Sequence, residues 1–139
     1  MCNSKLITVK ITLFVFIGLL FSVGMIVHSF AHTTVHVEQY EIEAGWGIEP
    51  PVVGIRNDIV LKIIERGEKE GTFTGITSAF KGVDTTVMFG GASKKIDVNS
   101  DPRPGYYFSP IIPTKTGTYQ IELKGDLQGT VVDVKIPIE

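Results

Sequence analysis

The chain has 139 residues, with 13 Lys and Arg against 15 Asp and Glu and a single cysteine. This length has room for one domain, and the presence of one long apolar run excludes a polytopic membrane protein. Past residue 31 the chain is net acidic, which argues against nucleic-acid binding, because that function needs a basic face.

The first predicted element is an apolar N-terminal segment. Residues 11–27 carry no charge, two lysines precede them, and Ser29 and Ala31 supply the small residues of a signal-peptidase site. Two interpretations stay open: residues 1–31 are a cleaved signal peptide, or they are an uncleaved signal anchor, because the run approaches the roughly 20 residues that span a bilayer. Both export residues 32–139 to the outer face of the cytoplasmic membrane, periplasmic or extracellular, since the lysines hold the N-terminus inside.

Residues 32–139 are predicted to form one all-β domain. Short β-branched runs alternate with Gly, Pro and Asn/Asp clusters, and no long helical stripe is present, which is typical of antiparallel sheets. We therefore predict an immunoglobulin-like antiparallel β-sandwich of seven to eight strands. The predicted strands are 34–44, 59–65, a weak strand within 71–82, 84–89, 94–98, 105–112, 118–124 and 130–138.

Three local features refine this prediction. The side-chain alternation of the first strand changes near Glu38–Gln39, which predicts a bulge or a strand that changes sheets. Gly117 stands two residues before the inward-facing Tyr119, the arrangement of a tyrosine corner, whose hydroxyl binds the backbone upstream. Trp46 is predicted to be buried between the sheets.

A set of turn and core motifs links the exported part to known domains. The motifs are Gly45-Trp46-x-x-Glu49-Pro50-Pro51-x-x-Gly54-x-x-Asn57-x-Ile59, Gly105-Tyr106-Tyr107, Pro113-Thr114-x-x-Gly117-x-Tyr119 and Gly125-x-x-x-Gly129. Together they resemble small exported Ig-like domains of prokaryotes, and their layout is similar to the YtkA-like and copper-resistance CopC-like families. The resemblance spans nearly all of residues 32–139 and implies an Ig-like fold.

The resemblance to CopC-like proteins also implies a copper site. In that family the mature chain begins with a histidine that binds Cu(II) through its amine and imidazole, together with a later acidic residue and a turn histidine. By position, His32 is the implied first ligand if cleavage follows Ala31, and Asp126 is the implied acid. The turn histidine has no counterpart here, so the implied copper site is incomplete.

The histidines are also candidates by their own chemistry. A terminal His32 chelates Cu(II) through its amine and Nδ1, and His36 is a further candidate nitrogen. Residues four apart in an extended strand are separated by about 13 Å, so these two share an ion only if residues 32–35 curl back. The alternative interpretation is two exposed histidines that bind no metal.

The sequence supports two hypotheses about function. It contains no Gly-x-Ser-x-Gly, no His-Glu-x-x-His and no phosphate loop, so we expect no enzyme. The first hypothesis is an exported non-enzymatic Ig-like binding domain that handles copper through its N-terminal histidine. The second is a structural or protein-interaction module that binds no metal, anchored by residues 11–31, with the Pro50–Pro51 and Pro102–Arg103–Pro104 loops as contact surfaces for a membrane-protein partner.

Overall fold

Strand-forming runs that alternate between apolar and polar residues build most of the described chain. The computed structural model describes residues 32–139. The signal peptide or anchor predicted for residues 1–31 lies outside them. The strands are β1 Thr33–Val37, β2 Tyr40–Trp46, β3 Asn57–Arg66, β4 Phe73–Gly75, β5 Val83–Phe89, β6 Ala92–Ile96, β7 Asn99–Ser100, β8 Tyr106–Ile111, β9 Tyr119–Leu127 and β10 Thr130–Ile138; a short 3-10 turn lies at Ala79–Lys81.

These strands form two antiparallel sheets, which confirms the all-β prediction and fits a β-sandwich. The first sheet has the order β1-β2-β3-β8-β7, with β4 beside the last residues of β3. The second sheet has the order β10-β9-β5-β6. Within residues 32–139, no helix is long and apolar enough to cross a membrane.

The core lies between the two sheets because alternate residues of each strand point inward. Ile42 and Ala44 of β2 and Ile121 of β9 are almost completely buried. Trp46 is also buried, as predicted, and its ring packs against the Tyr119 ring in a T-shaped arrangement with the two centroids 5.3 Å apart. The large apolar side chains of both sheets therefore form one continuous cluster.

The tyrosine corner is confirmed. The Tyr119 hydroxyl donates a hydrogen bond to the carbonyl oxygen of Lys115 at 3.0 Å. It also accepts hydrogen bonds from the backbone N–H groups of Thr114 and Lys115, each at 3.2 Å. One side chain thus fixes the loop that leads into β9.

The prediction of a bulge or a change of sheet near Glu38–Gln39 was wrong. The run 34–44 is two strands, and Glu38–Gln39 is a two-residue turn that places Val37 opposite Tyr40. Glu38 takes the left-handed conformation, with φ of 51°, which is uncommon for a residue other than Gly, Asn or Asp. The change of alternation in the sequence therefore marks the turn of a hairpin.

The predicted number of strands was too small. The structure has ten strands, but β4 and β7 are only three and two residues long. The connection between the last two predicted strands, residues 125–129, is also shorter than expected, because β9 continues to Leu127 and the turn consists of Gln128 and Gly129. These differences lie at strand ends and short edges, where few side chains contribute to the alternation that prediction uses.

The sandwich has two ends, which we call the base and the top. The base is formed by His32, the β2–β3 loop (residues 47–56) and residues 112–118, where a Gly54 N–H to Pro113 carbonyl hydrogen bond joins the two loops. The top contains the turns 38–39 and 128–129, next to each other through a contact between Thr130 and Glu38. The two ends are separated by the length of the long strands, about 30 Å for nine residues.

Candidate functional site

The first described residue is held against the edge of the first sheet. Thr33 pairs with Ala44, so His32 lies beside Gly45 at the base. A Cβ atom on Gly45 would lie 2.1 Å from Cδ2 of the His32 ring. Because Gly45 has no side chain, the imidazole of His32 can occupy this space.

Both nitrogens of the His32 ring have acceptors. Nδ1 lies 2.8 Å from Oε1 of Glu43, and Nε2 lies 3.2 Å from the carbonyl oxygen of Trp46 and 3.2 Å from Oε1 of Glu49. A neutral imidazole can donate only one hydrogen bond, whereas the imidazolium ion donates two. We call this arrangement of His32, Glu43, Gly45, Trp46 and Glu49 the histidine clamp, and its geometry suits the protonated ring.

The electrostatics of the histidine clamp agree with its hydrogen bonds. Partial burial lowers the pKa of His32, but the hydrogen bonds to Glu43 and to the Trp46 carbonyl and the charges of Glu49 and Glu43 outweigh it and raise the pKa above the ordinary 6.5. The clamp therefore favours a positive charge on the ring.

His36 has different partners. It lies on β1 opposite Glu41 of β2, and a nitrogen of the Arg66 guanidinium lies within hydrogen-bond distance of its Nδ1. Glu41 lies 3.8 Å from His36 and 3.7 Å from Arg66. This group sits at the top half of the outer face, so the extended β1 strand separates His36 from His32.

Asp126 lies on the other sheet and at the top. Its side chain accepts a hydrogen bond from the Gly129 N–H at 2.8 Å, and its own N–H donates to the Gly82 carbonyl at 2.8 Å. The carboxylate therefore closes the β9–β10 turn. The structure does not bring Asp126 together with either histidine.

No metal centre is assembled by the described residues. Between residues 32 and 139, no group of three or more His, Cys, Asp or Glu side chains is arranged to hold a metal ion. In the histidine clamp, Glu43 lies at Nδ1 and Glu49 lies at Nε2, so the two carboxylates flank opposite sides of the ring. Sequence reasoning missed both, because neither is adjacent to His32 until the β1–β2 hairpin forms.

The predicted Pro102–Arg103–Pro104 contact loop carries an ordered cation. The Arg103 guanidinium lies over the Tyr106 ring at 4.2 Å from its centroid and donates from Nε to Asp101 at 2.8 Å. The hydrogen bond to Arg103 lowers the pKa of Asp101, and the same bond raises that of Arg103. Both groups therefore stay charged on an exposed loop in the upper half of the first sheet.

Comparison of the chain with protein families and with curated protein sequences finds no match. The resemblance to YtkA-like and CopC-like proteins therefore stays a prediction.

Proposed function

We propose that residues 32–139 are an immunoglobulin-type domain. In such domains the first, second, fifth and fourth strands form one sheet, and the seventh, sixth and third form the other. If β1 and β4 are set aside as additions, the strand orders here, β2-β3-β8-β7 and β10-β9-β5-β6, follow that scheme with one extra strand after the third. The tyrosine corner at the start of β9 supports the same assignment.

We propose that this domain functions as a non-enzymatic interaction module. It is exported, and residues 1–31 hold it at the outer face of the membrane. The observation that carries this proposal is the histidine clamp. Both nitrogens of His32 are occupied by acceptors of the same sheet, which suits a residue that fixes the start of the domain. Because His32 is fixed to the sheet, an apolar leader that stays in the membrane would hold the whole domain at the membrane surface.

The partner in this proposal is a membrane-associated protein that contacts the Arg103–Tyr106 pair. Arg and Tyr are enriched among the residues that dominate protein interfaces. Here the guanidinium is already ordered by Asp101 and by the Tyr106 ring, which reduces the entropy lost on binding. The remaining N–H groups of Arg103 suit a partner surface that offers a carboxylate.

The anchoring part is tested on the full chain in its native host. Membranes are washed with alkaline carbonate, and the mass of the purified protein is measured. The proposal expects the chain to stay in the membrane pellet with residues 1–31 still attached. A soluble product that begins at His32 would overturn it.

The binding part is tested by photo-cross-linking in cells. A benzoylphenylalanine at Pro102, beside Arg103, should form an adduct that disappears in the Arg103→Glu variant. The same group at Val131, on the outer face of the second sheet, is the matched control and should form none. Equal cross-linking at both positions, or an adduct unaffected by Arg103→Glu, would refute the role of this loop.

Copper handling is the second candidate function, and one distance favours it. Nδ1 of His32 and Oε1 of Glu43 are 2.8 Å apart, a separation that two ligands of one Cu(II) ion can have. If the chain is cleaved after Ala31, the free amine of His32 is a third donor, so Glu43 would take the role that the resemblance gives to Asp126. Because a metal ligand must lose its proton, the raised pKa of His32 opposes this function.

A Cu(II) titration of the purified protein separates the two candidates. Copper handling predicts binding that is lost in His32→Ala, weakened in Glu43→Gln and unchanged in His36→Ala, together with a mature chain that begins at His32. The interaction module predicts the same weak binding for all four proteins and a chain that still begins at Met1.

A further inference from the structure

The exposed apolar side chains of the domain are concentrated at its base. Seven large apolar residues of the described chain are well exposed, and five of them belong to the base. These five, which we call the base patch, are Ile48, Val52, Val53, Ile55 and Ile112, with exposed fractions from 44% to 68%. An apolar cluster of this kind marks a surface that contacts a protein or a membrane.

The described part of the chain begins beside this patch. His32 contacts the Trp46 carbonyl and Glu49, which directly precede the apolar part of the β2–β3 loop. The uncharged run of the leader ends at Val27, five residues before His32, and five residues span at most about 17 Å. This tether is shorter than the sandwich is long, so an anchored leader keeps the base, and not the top, next to the bilayer.

Three basic side chains lie beside the patch, together with the acidic Glu49 and Glu139. Arg56 and Lys94 line an open groove of about 550 Å³ together with Ile112, and Lys115 lines a second groove beside Pro50 and Pro51. None of these three cations forms an ion pair with the rest of residues 32–139. Apolar side chains with Lys and Arg beside them suit the interface of an anionic bilayer. There the apolar side chains enter the headgroup region and the Lys and Arg side chains contact lipid phosphates.

We propose that the base patch docks on the lipid bilayer, so that the domain stands on the membrane with its top and the Arg103–Tyr106 pair facing outward. This inference rests on the proposed anchoring by residues 1–31. The Pro50–Pro51 loop, which was predicted to contact a protein, then contacts lipid. The Arg103 loop stays available for the protein partner.

The test uses the full chain, synthesised in a cell-free system into nanodiscs of phosphatidylcholine and phosphatidylglycerol, so that no peptidase removes the leader. In a Cys2→Ser background, an environment-sensitive fluorophore is attached to Val53→Cys or, as matched control, to Val131→Cys, which is equally apolar and 79% exposed but at the top. We expect a blue-shifted emission at position 53 that nitroxide-labelled lipids quench, and a water-like, unquenched emission at position 131.

The outcomes separate this inference from the anchoring on which it rests. A chain that stays in the discs with a water-like signal at position 53 overturns the docking alone. A chain that is released from the discs overturns the anchoring as well. A blue shift at position 53 without lipid quenching indicates a second protein copy on the patch and also refutes docking on lipid.

Discussion

At the residue scale, two side chains each tie a strand to a neighbouring segment of the chain. His32 connects the start of the described residues to β2 and to the loop after it, and Tyr119 closes the loop before β9. Each side chain forms hydrogen bonds with groups that the fold holds in place. Removing a few of its atoms should therefore measurably lower the free energy of unfolding.

The histidine clamp makes stability depend on pH. Because the pKa of His32 is raised by the fold, the protonated ring stabilises the native state fully below the ordinary pKa of 6.5, and this stabilisation is lost as the pH rises through the raised value. We expect NMR titration to place the pKa of His32 above 6.5 in the native protein. Glu43→Gln, which removes one carboxylate, should lower that pKa and reduce the fall in unfolding free energy between mildly acidic and mildly alkaline pH. An identical pH dependence in the variant would contradict the clamp.

The tyrosine corner predicts a stability loss on removal of one oxygen atom. Tyr119→Phe leaves the Lys115 carbonyl and two backbone N–H groups without their partner, at a cost of roughly 1–3 kcal/mol. Tyr106→Phe is the matched control, since Tyr106 acts through the face of its ring. Urea unfolding should show the loss for Tyr119→Phe and little change for the control.

At the scale of elements, two strands approach closely where glycine permits it. Gly125 in β9 has φ of 143°, and a Cβ atom there would lie 2.0 Å from the Gly82 carbonyl oxygen. Gly129, in the turn that follows, has φ of 95° and open space around it. The two glycines therefore differ in steric contact more than in backbone strain.

This difference predicts unequal effects of alanine. Gly129→Ala carries the cost of positive φ alone, about 1–2 kcal/mol. Gly125→Ala also forces β5 and β9 apart at Gly82 and should cost on the order of 3 kcal/mol or more. Thermal unfolding of the two variants compares them directly, and equal losses would refute the steric argument.

The elements also show what sequence patterns can and cannot predict here. Alternation identified the long strands, and Gly117-Thr118-Tyr119 identified the corner, because these signals lie within a few consecutive residues. The Glu38–Gln39 turn carries no glycine or asparagine to announce it. Glu43 and Glu49 join His32 only after β1 folds back on β2, and single-sequence reasoning does not provide that register.

At the scale of the whole molecule, packing of the two sheets supplies the stability, because residues 32–139 contain no cysteine and thus no disulfide. Ile136 of β10 is fully buried in the core cluster, whereas Val131 on the same strand is 79% exposed. Ile136→Ala should cost about 2–5 kcal/mol, and Val131→Ala should stay within about 0.5 kcal/mol of the parent. Denaturant unfolding measures both; a small effect at Ile136 would contradict the closed sandwich.

The course of β1 has a mechanical consequence for a domain mounted in this way. β1 runs from His32 at the base toward the top and is paired along its whole length with β2. A pulling force between a membrane anchor and a ligand bound at the top would shear β1 along its length against β2. The backbone hydrogen bonds between β1 and β2 lie perpendicular to that direction. They would therefore resist the force together and would not break one after another.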